Sequence, residues 1–244
     1  MYRFRILLWK ICFPVMTVIW SSAIVLMSYV LPPRRHVEFS SHWGDTTLWL
    51  ARWLLGIRYE VQGLENLPAD DAYITMANHQ STWETAYLPT LRRYQVWILK
   101  WELTQIPVFG RALRSLNTIA IQREEGREAL KQVTAAGTAA LRAGRTVLIF
   151  PEGTRGLPGV KQPFKGGGAL LAKESGARIL PVAHNAGQFW SADGHFHPGT
   201  IKVVIGPVID PAGRSTREIS QAVESWITST RDRLEAEETA RRAR

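Results

Sequence analysis

Short apolar runs alternate with helical patterns from about residue 57 onward, and this alternation restricts the fold of the chain more than any other feature. Helical patterns fall near 83–92, 108–115, 125–143 and 166–175. The runs between them are rich in β-branched and aromatic residues, which favour strands: IRYEVQG, AYITMA, YQVWIL, NTIAIQ, RTVLIFP, RILPVAH and IKVVIG. The alternation predicts an α/β domain with a mostly parallel central sheet flanked by helices.

The last helix of this domain is predicted from about Thr216 to Leu234. The residues that follow, EAEETARRAR, contain too little apolar surface to pack against a core. We therefore expect residues 235–244 to fray, and we assign residues 58–244 to the α/β domain.

The N-terminal residues have a different pattern. Residues 11–31 form a run of 21 residues without a charge, flanked by basic residues and by Pro32 and Pro33. Such a run is long enough to cross a bilayer, whereas a cleaved signal peptide is shorter and ends at a small-residue cleavage site. A buried helix of a soluble domain normally shows a polar face, which this run lacks. Residues 1–57 are therefore predicted to anchor the protein to a membrane.

A second apolar run, residues 42–57, is too short to span a membrane comfortably. Its tryptophans Trp43, Trp49 and Trp53 suit the boundary between lipid headgroups and acyl chains, so we expect them to face lipid. Basic residues flank the first run on both sides, and basic residues resist translocation. We expect two helices that enter only the cytoplasmic leaflet of the inner membrane, with the α/β domain on the cytoplasmic side.

Charge and cysteine content exclude some classes of function. The chain has 30 Lys and Arg against 21 Asp and Glu, a net charge of +9, which favours anionic partners. Charge by itself does not choose among nucleic acid, phospholipid headgroups and phosphorylated substrates. Cys12 is the only cysteine, so intrachain disulfides and cysteine-based zinc sites are excluded.

The stretch NHQSTWE places His79 between a predicted strand and a predicted helix, five residues before Glu84. Within one helix these side chains would point about 140° apart. If the helix begins at Ser81, however, Glu84 occupies its first turn and reaches back toward the imidazole. Ser81 and Glu84 also fit a capping box, which would explain the glutamate without any chemistry.

A second polar motif, FPEGTR, follows the strand that ends near Phe150. Open α/β sheets place ligand sites at such strand ends. Arg155 offers a planar set of donors suited to phosphate, and Thr154 and nearby amides add hydrogen bonds. The segment FKGGGA then brings Lys165 and free amides before the next helix, where an anion is also favoured.

Established phosphate-binding and nucleophile motifs do not occur in the sequence: it contains no GxxxxGK[ST], GxGxxG or GxSxG pattern. The segment DGHFH, Asp193–His197, contains potential metal ligands, but their spacing matches no known ligand pattern. We interpret its histidines as solvated loop residues and predict no metal site.

Together these motifs resemble one family, the 1-acylglycerol-3-phosphate O-acyltransferases. NHQSTWE resembles its histidine–x4–acid block and FPEGTR its glycerolipid block; residues 100–123 resemble its second block and ILPVAHNAG its fourth. The blocks occur in the family's order over roughly residues 57–210. Two positions depart from it: Glu84 stands where Asp is more frequent, and Gln122 stands where an acid usually precedes Arg123.

The resemblance implies an α/β enzyme that transfers an acyl group from a thioester to lysophosphatidic acid, without a cofactor or a metal. His79 is implied as the general base and Glu84 as the residue that holds its tautomer. The donor is acyl-CoA or acyl carrier protein, the other partner is membrane phospholipid, and nucleic acid is not a partner. The implied substrate-binding residues are Glu152, Gly153, Thr154, Arg155, Arg123, Lys100 and Lys165.

Three alternatives remain open from the sequence. A related enzyme could acylate another lysophospholipid or glycerol 3-phosphate. A thioesterase could use water or Ser81, although FPEGTR would then lack a role. A basic membrane-binding module without activity would leave His79 without a role.

Overall fold

A computed structural model describes residues 2–69, 72–122 and 126–244 of the chain. All seven predicted strands are present, and they form one sheet in the order β1-β7-β6-β2-β5-β3-β4. The strands are β1 (Ile57–Gln62), β2 (Ile74–Ala77), β3 (Gln95–Lys100), β4 (Ile119–Ile121), β5 (Thr146–Ile149), β6 (Ile179–His184) and β7 (Gly199–Ile205).

Neighbouring strands are parallel except for β6 and β7, which confirms the prediction of a mostly parallel sheet. β2 and β5 are neighbours in the middle of the sheet, with Met76 opposite Ile149. Parallel neighbours end at the same edge of a sheet. The segments that follow β2 and β5 therefore leave the sheet side by side.

Helices cover both faces of the sheet, and each face has its own apolar core. Alternate residues of a strand point to opposite faces, so Val147 and Ile149 belong to one core and Leu148 to the other. Five helices follow the first strand, close to their predicted positions: α4 (Trp83–Leu91), α5 (Phe109–Ser115), α6 (Arg127–Arg142), α7 (Gly167–Ser175) and α8 (Thr216–Arg242).

The prediction that residues 235–244 fray is wrong, because α8 continues to Arg242. Glu235 and Glu238 are buried although they are charged. The guanidinium of Arg242 lies 4.9 Å from the ring centroid of Phe189, over the ring face. Polar contacts hold this end of the helix, and a count of apolar residues does not detect them.

The N-terminal segment contains three helices and a π-helical turn: α1 (Tyr2–Met27), α2 (Pro33–Ser40), α3 (His42–Leu50) and Ala51–Leu55. The prediction of two helices is corrected: α1 and α3 with the π-helical turn correspond to the two apolar runs, and α2 is an additional helix between them. α1 is long and apolar enough to cross a membrane by length and composition. It begins at Tyr2, well before the uncharged run, and stops before Pro32 and Pro33.

One face of α1 packs against the body of the protein. The ring of Trp9 is 2% exposed, with its centroid 4.9 Å from the centroids of Phe13 and of Trp190, which lies beyond β6. The other faces of α1 expose large apolar side chains: Phe4, Leu7, Ile11, Val15, Val18, Ile19 and Leu26. α1 therefore lies along the protein with an outer apolar surface.

The three tryptophans of the second apolar run differ in their surroundings. Trp49 and Trp53 are exposed, whereas Trp43 packs against the core and donates its Nε1–H to Thr17 Oγ1 at 3.2 Å. The expectation that Trp43 faces lipid is wrong because α1 covers it. Leu48 and Leu55 are buried in the same core as strands β6 and β7, so the segment before residue 57 shares a core with the sheet.

Candidate active site

The loop after β2, residues 78–82, is termed the histidine loop. Its backbone is fixed by Asn78, whose side chain exchanges two 3.0 Å hydrogen bonds with the backbone of His184 at the end of β6. His184 Nε2 donates to the carbonyl of Asn78 at 2.8 Å, and its Nδ1 accepts from the amide of Ala186. An accepting Nδ1 belongs to a neutral imidazole, and burial lowers the pKa of His184. Sequence reasoning missed both residues, although His184 lies in the ILPVAHNAG segment.

His79 and Glu84 are in direct contact, as their spacing predicted. Nδ1 of His79 lies 2.9 Å from Oε1 of Glu84. The same oxygen accepts from the backbone amides of Gln80 at 2.8 Å and Ser81 at 2.7 Å. With Nδ1 held as the donor, Nε2 is the ring nitrogen that a substrate hydroxyl must reach.

The local geometry differs from the predicted capping box. α4 begins at Trp83 rather than at Ser81, and the hydroxyl of Ser81 accepts from the amide of Trp83 at 3.0 Å. Only the half in which Glu84 accepts from the amide of Ser81 is present. The loop makes one tight turn before the helix, so Glu84 serves the loop and the imidazole together.

Glu84 is fully buried and ionised. Burial favours the neutral carboxyl, but the imidazoles of His184 and His79 and the amide of Ser81 outweigh it and hold the pKa of Glu84 below its ordinary value. A carboxylate in this position stabilises an imidazolium at His79 when a proton is transferred to Nε2.

The loop after β5, residues 150–156, is termed the arginine loop, and it closes over the other side of His79. The ring of Phe150 stacks on the imidazole with the centroids 4.1 Å apart and the planes 14° apart. The amide of Gly156 donates to the carbonyl of His79 at 2.8 Å. The two motifs therefore form one structure around His79.

Glu152 lies behind this structure rather than in the cavity. Its Oε2 accepts from the amide of His79 at 3.1 Å, and its Oε1 lies 3.7 Å from Nη1 of Arg231 on α8. Burial raises the pKa of Glu152 to about 7, more than the His79 amide and Arg231 lower it. This position suits support of the histidine loop and does not suit direct contact with a phosphate.

α8 contacts both loops: Arg231 lies beside Glu152 of the arginine loop, and Glu235 accepts from Gln80 of the histidine loop. Glu235 accepts from Gln80 Nε2 of the histidine loop at 2.6 Å and from the amide of Gly159 at 2.8 Å. Arg231 and Glu235 lie one helical turn apart and face the two loops together. Sequence reasoning missed both: it assigned Glu235 to a fraying tail, and it gave Arg231, inside the predicted helix, no role.

A cavity of about 630 Å³ opens beside His79. Its walls come from α1, the histidine loop, β3 with the segment after it, and the arginine loop. Most of its lining is apolar, including Phe13, Trp97 and Leu148. Thr154 and Arg155 of the arginine loop form a polar side of the lining, and Lys100 at the end of β3 adds a second cation.

Arg155 is exposed at this side of the cavity and donates from Nη1 to Thr82 Oγ1 at 3.0 Å. In the part of the chain that the structure describes, no carboxylate forms an ion pair with it. Gly153 has φ +74, and a Cβ there would lie 3.1 Å from Lys165 Nζ, so this turn needs glycine. The loop thus presents a guanidinium without a competing anion.

The remaining predicted site residues are placed differently. Lys165 lines a neighbouring cavity of about 440 Å³ that shares Phe150 and Gly153 with the first. Arg123 lies outside the described residues. Asp193 and His195 form an exposed ion pair at 2.9 Å. Among residues 2–69, 72–122 and 126–244, no three His, Cys, Asp or Glu side chains are grouped to hold a metal ion.

Comparison with known proteins agrees with this geometry. A family model described as acyltransferase matches residues 58–185. A 1-acyl-sn-glycerol-3-phosphate acyltransferase of Pseudomonas aeruginosa is 42% identical over 87% of this chain and 84% of its own length. Another, from Borreliella burgdorferi, is 32% identical over 66% of this chain and 65% of its own length.

A solved structure extends the similarity to the N-terminal helices. The crystal structure of a 1-acyl-sn-glycerophosphate acyltransferase from Thermotoga maritima superposes with a TM-score of 0.76 at 25% identity and covers 98% of both chains. The chain belongs to the acyltransferase family, among the 1-acyl-sn-glycerol-3-phosphate acyltransferases. The family resemblance drawn from the motifs is confirmed.

Proposed function

We propose that this enzyme transfers a fatty acyl group from an acyl thioester to the sn-2 hydroxyl of 1-acyl-sn-glycerol 3-phosphate, giving phosphatidic acid for phospholipid biosynthesis. One observation carries the proposal: an imidazole anchored through Nδ1 by a buried carboxylate lies on an apolar cavity that also presents Arg155. The activity named for the Pseudomonas aeruginosa relative supports it.

The chemistry follows from the two ring nitrogens of His79. Nε2 takes the proton of the sn-2 hydroxyl while its oxygen attacks the thioester carbonyl, and Glu84 stabilises the imidazolium. Collapse of the tetrahedral intermediate breaks the carbon–sulfur bond, and the imidazolium returns the proton to the thiolate. His79 is thus unchanged after each turnover, and no acyl-enzyme forms.

The acceptor phosphate is bound at the polar side of the cavity in this proposal. Arg155 forms charge-assisted hydrogen bonds with it, and Thr154 and the backbone at Gly153 complete the site. Lys100 lines the same cavity and adds a positive charge. Arg123 is proposed as a further phosphate ligand and Lys165 as a contact of the donor, which is acyl-CoA or acyl carrier protein. Glu152 acts through the backbone of His79.

Residues 1–57 are proposed to attach the enzyme to the cytoplasmic leaflet of the inner membrane without crossing it, with residues 58–244 as the catalytic unit. The exposed apolar faces of α1 support contact with lipid, and the contact of Trp9 with Trp190 favours a helix that lies along the protein. Replacing Cys12 and introducing single cysteines at Tyr2 and Arg35 tests the topology. An impermeant maleimide should label neither site from outside intact cells, and labelling of either would demonstrate a span.

Purified enzyme assayed on a panel of lysophospholipids with both donor types tests the reaction. Lysophosphatidic acid should be the preferred acceptor, and His79→Ala should abolish transfer without unfolding the protein. His195→Ala is the matched control, because that histidine is exposed and does not line the cavity. Near-normal turnover by His79→Ala would refute the mechanism, and preference for another acceptor would reassign the substrate.

A further inference from the structure

The segment between β3 and α5, residues 101–108, exposes an unusual amount of apolar surface; it is termed the β3–α5 loop. Trp101 is 42% exposed, Leu103 38%, Ile106 45% and Val108 39%. Single exposed apolar residues are normal on protein surfaces, whereas a contiguous group marks an interaction site. Connecting segments are usually polar, so these four side chains within eight residues require an explanation.

Backbone contacts hold this loop in place. Gly110 packs so closely on the backbone of Thr104 that a Cβ would clash, and its amide donates to the carbonyl of Ile106 at 2.7 Å. Arg114 also donates to the carbonyl of Thr104. Val108 has φ +63 and ψ −59, a conformation close to that of a classic γ-turn, which a β-branched residue rarely adopts. The apolar side chains are therefore presented by a fixed backbone.

The same loop forms one wall of the cavity beside His79. Leu103, Ile106 and Pro107 line the cavity opposite Pro14 and Val18 of α1, and all five are exposed as well. The remaining exposed residues of the lining are polar: Lys100, Thr154 and Arg155. The exposed lining thus has an apolar part and a cationic part, the same two-part character as a lipid with an anionic headgroup.

The apolar side is continuous with the outer surface of α1. Val18 belongs both to the cavity lining and to the exposed apolar face of that helix. Exposed cations lie next to the loop, at Lys100 before it and at Arg111 after it. Apolar side chains flanked by cations match the acyl layer and anionic headgroups of a bilayer.

We propose that the β3–α5 loop is a second lipid-inserting element, which enters the membrane surface beside α1 and lets the acyl chain of a substrate pass between them into the cavity. The inference rests on the proposed function for the identity of the lipid that enters. The insertion of the loop itself does not depend on catalysis, so the two can be tested separately.

Insertion is tested by labelling the full-length protein. In a Cys12→Ser background, a Trp101→Cys variant carries an environment-sensitive fluorophore and is mixed with vesicles of phosphatidylethanolamine and phosphatidylglycerol. We expect a several-fold rise in emission and quenching by lipids that carry a nitroxide on the acyl chain. Leu64→Cys is the control, because Leu64 is also an exposed leucine. It follows β1, which pairs with β7 and runs in the direction opposite to β6, so Leu64 lies at the opposite edge of the sheet. Equal responses at the two positions would overturn the proposal.

The role in substrate entry is tested with a Trp101→Ser/Val108→Asn variant. Neither residue lines the cavity, and asparagine is polar and lacks the β-branch of valine. With lysophosphatidic acid in vesicles, the rate should fall at least fivefold; with a short-chain acceptor dissolved as monomers, it should stay within twofold of wild type. Leu64→Ser should leave both rates unchanged.

Each remaining outcome has one meaning. Equal losses with vesicle-bound and monomeric acceptor would show that the loop supports the fold or the cavity, and the proposal would fail. Normal rates with both acceptors would also refute it. The proposal would fail as well if the loop bound a protein but did not bind vesicles. A wild-type enzyme without transfer to any acceptor would refute the proposed function, while the fluorescence result would still decide whether the loop enters lipid.

Discussion

Two buried glutamates, Glu84 in the first turn of α4 and Glu152 in the arginine loop, hold the same residue. Glu84 accepts from the imidazole of His79, and Glu152 accepts from its backbone amide. Their charge states nevertheless differ. The pKa of Glu84 lies below its ordinary value, whereas the pKa of Glu152 is raised to about 7.

Both carboxyls are buried, and the difference lies in their surroundings: the imidazole of His184 lowers the pKa of Glu84, and Glu84 has more close hydrogen-bond donors than Glu152. One oxygen of Glu84 accepts three hydrogen bonds within 2.9 Å, from His79, Gln80 and Ser81. Glu152 accepts one amide hydrogen bond, and its ion-pair partner Arg231 is 3.7 Å away. A buried carboxyl stays ionised only if hydrogen bonds replace its lost hydration. Glu84 is therefore held as a carboxylate that can stabilise an imidazolium, whereas Glu152 positions the backbone of His79.

The largest effect should come from removing the charge of Glu84. Glu84→Gln should lower kcat by about 10²–10⁴-fold, because the neutral amide no longer fixes the tautomer or stabilises an imidazolium. Glu84→Asp should retain more activity. Steady-state rates and thermal unfolding should be measured on the same preparations. If the variant loses activity only in proportion to its folded fraction, Glu84 serves the loop alone.

The arginine loop should instead control acceptor binding. Arg155→Ala removes a charge-assisted contact worth about 1.5–3 kcal/mol, so the KM for lysophosphatidic acid should rise roughly tenfold or more. The KM for the acyl donor should change little. Lys161→Ala, an exposed cation a few residues away, is the control for a general loss of positive charge. Equal changes in both KM values would remove Arg155 from the acceptor site.

A smaller effect is expected at α8, which joins the two loops. Glu235→Ala leaves the side chain of Gln80 and the amide of Gly159 without their partner, at a cost of about 1–2 kcal/mol in unfolding free energy. The rate should fall only two- to threefold. Glu237→Ala is the control on the same helix, and its side chain is 44% exposed. Identical stability of the two variants would mean that the end of α8 contributes nothing.

Sequence reasoning succeeded for the sheet and for the contact of His79 with Glu84, and it failed for the buried residues of α8. Strand periodicity located the whole sheet, and the spacing of His79 and Glu84 predicted a real contact, because local patterns encode both. Glu235 and Arg231 meet the loops across long sequence separations, and their partners are polar. Charged residues are usually exposed, so nothing in the local pattern of α8 distinguishes a buried glutamate from a solvated one.

The same limitation applies to the N-terminal segment. Its apolar content predicted lipid contact for all three tryptophans of the second run, yet Trp43 is covered by α1. Composition identifies residues that avoid water, whereas tertiary structure decides whether they face lipid or protein.

The smallest effect is a pH dependence that distinguishes the two glutamates. Glu152 has an ordinary value of 4.5 and a folded-state pKa of about 7, so the native state binds more protons than the unfolded state between these values. Its contribution to stability is therefore complete below pH 4.5 and is lost as the pH rises through 7. Glu152→Gln keeps an oxygen that accepts from His79 and removes the titration. The free energy of unfolding of the variant should exceed that of wild type at pH 8 by on the order of 1 kcal/mol. At pH 5 it should not exceed that of wild type. Denaturant unfolding at both pH values measures this, and a variant less stable than wild type at pH 8 would show that pairing with Arg231 stabilises the ionised carboxylate and that the pKa of Glu152 is not raised.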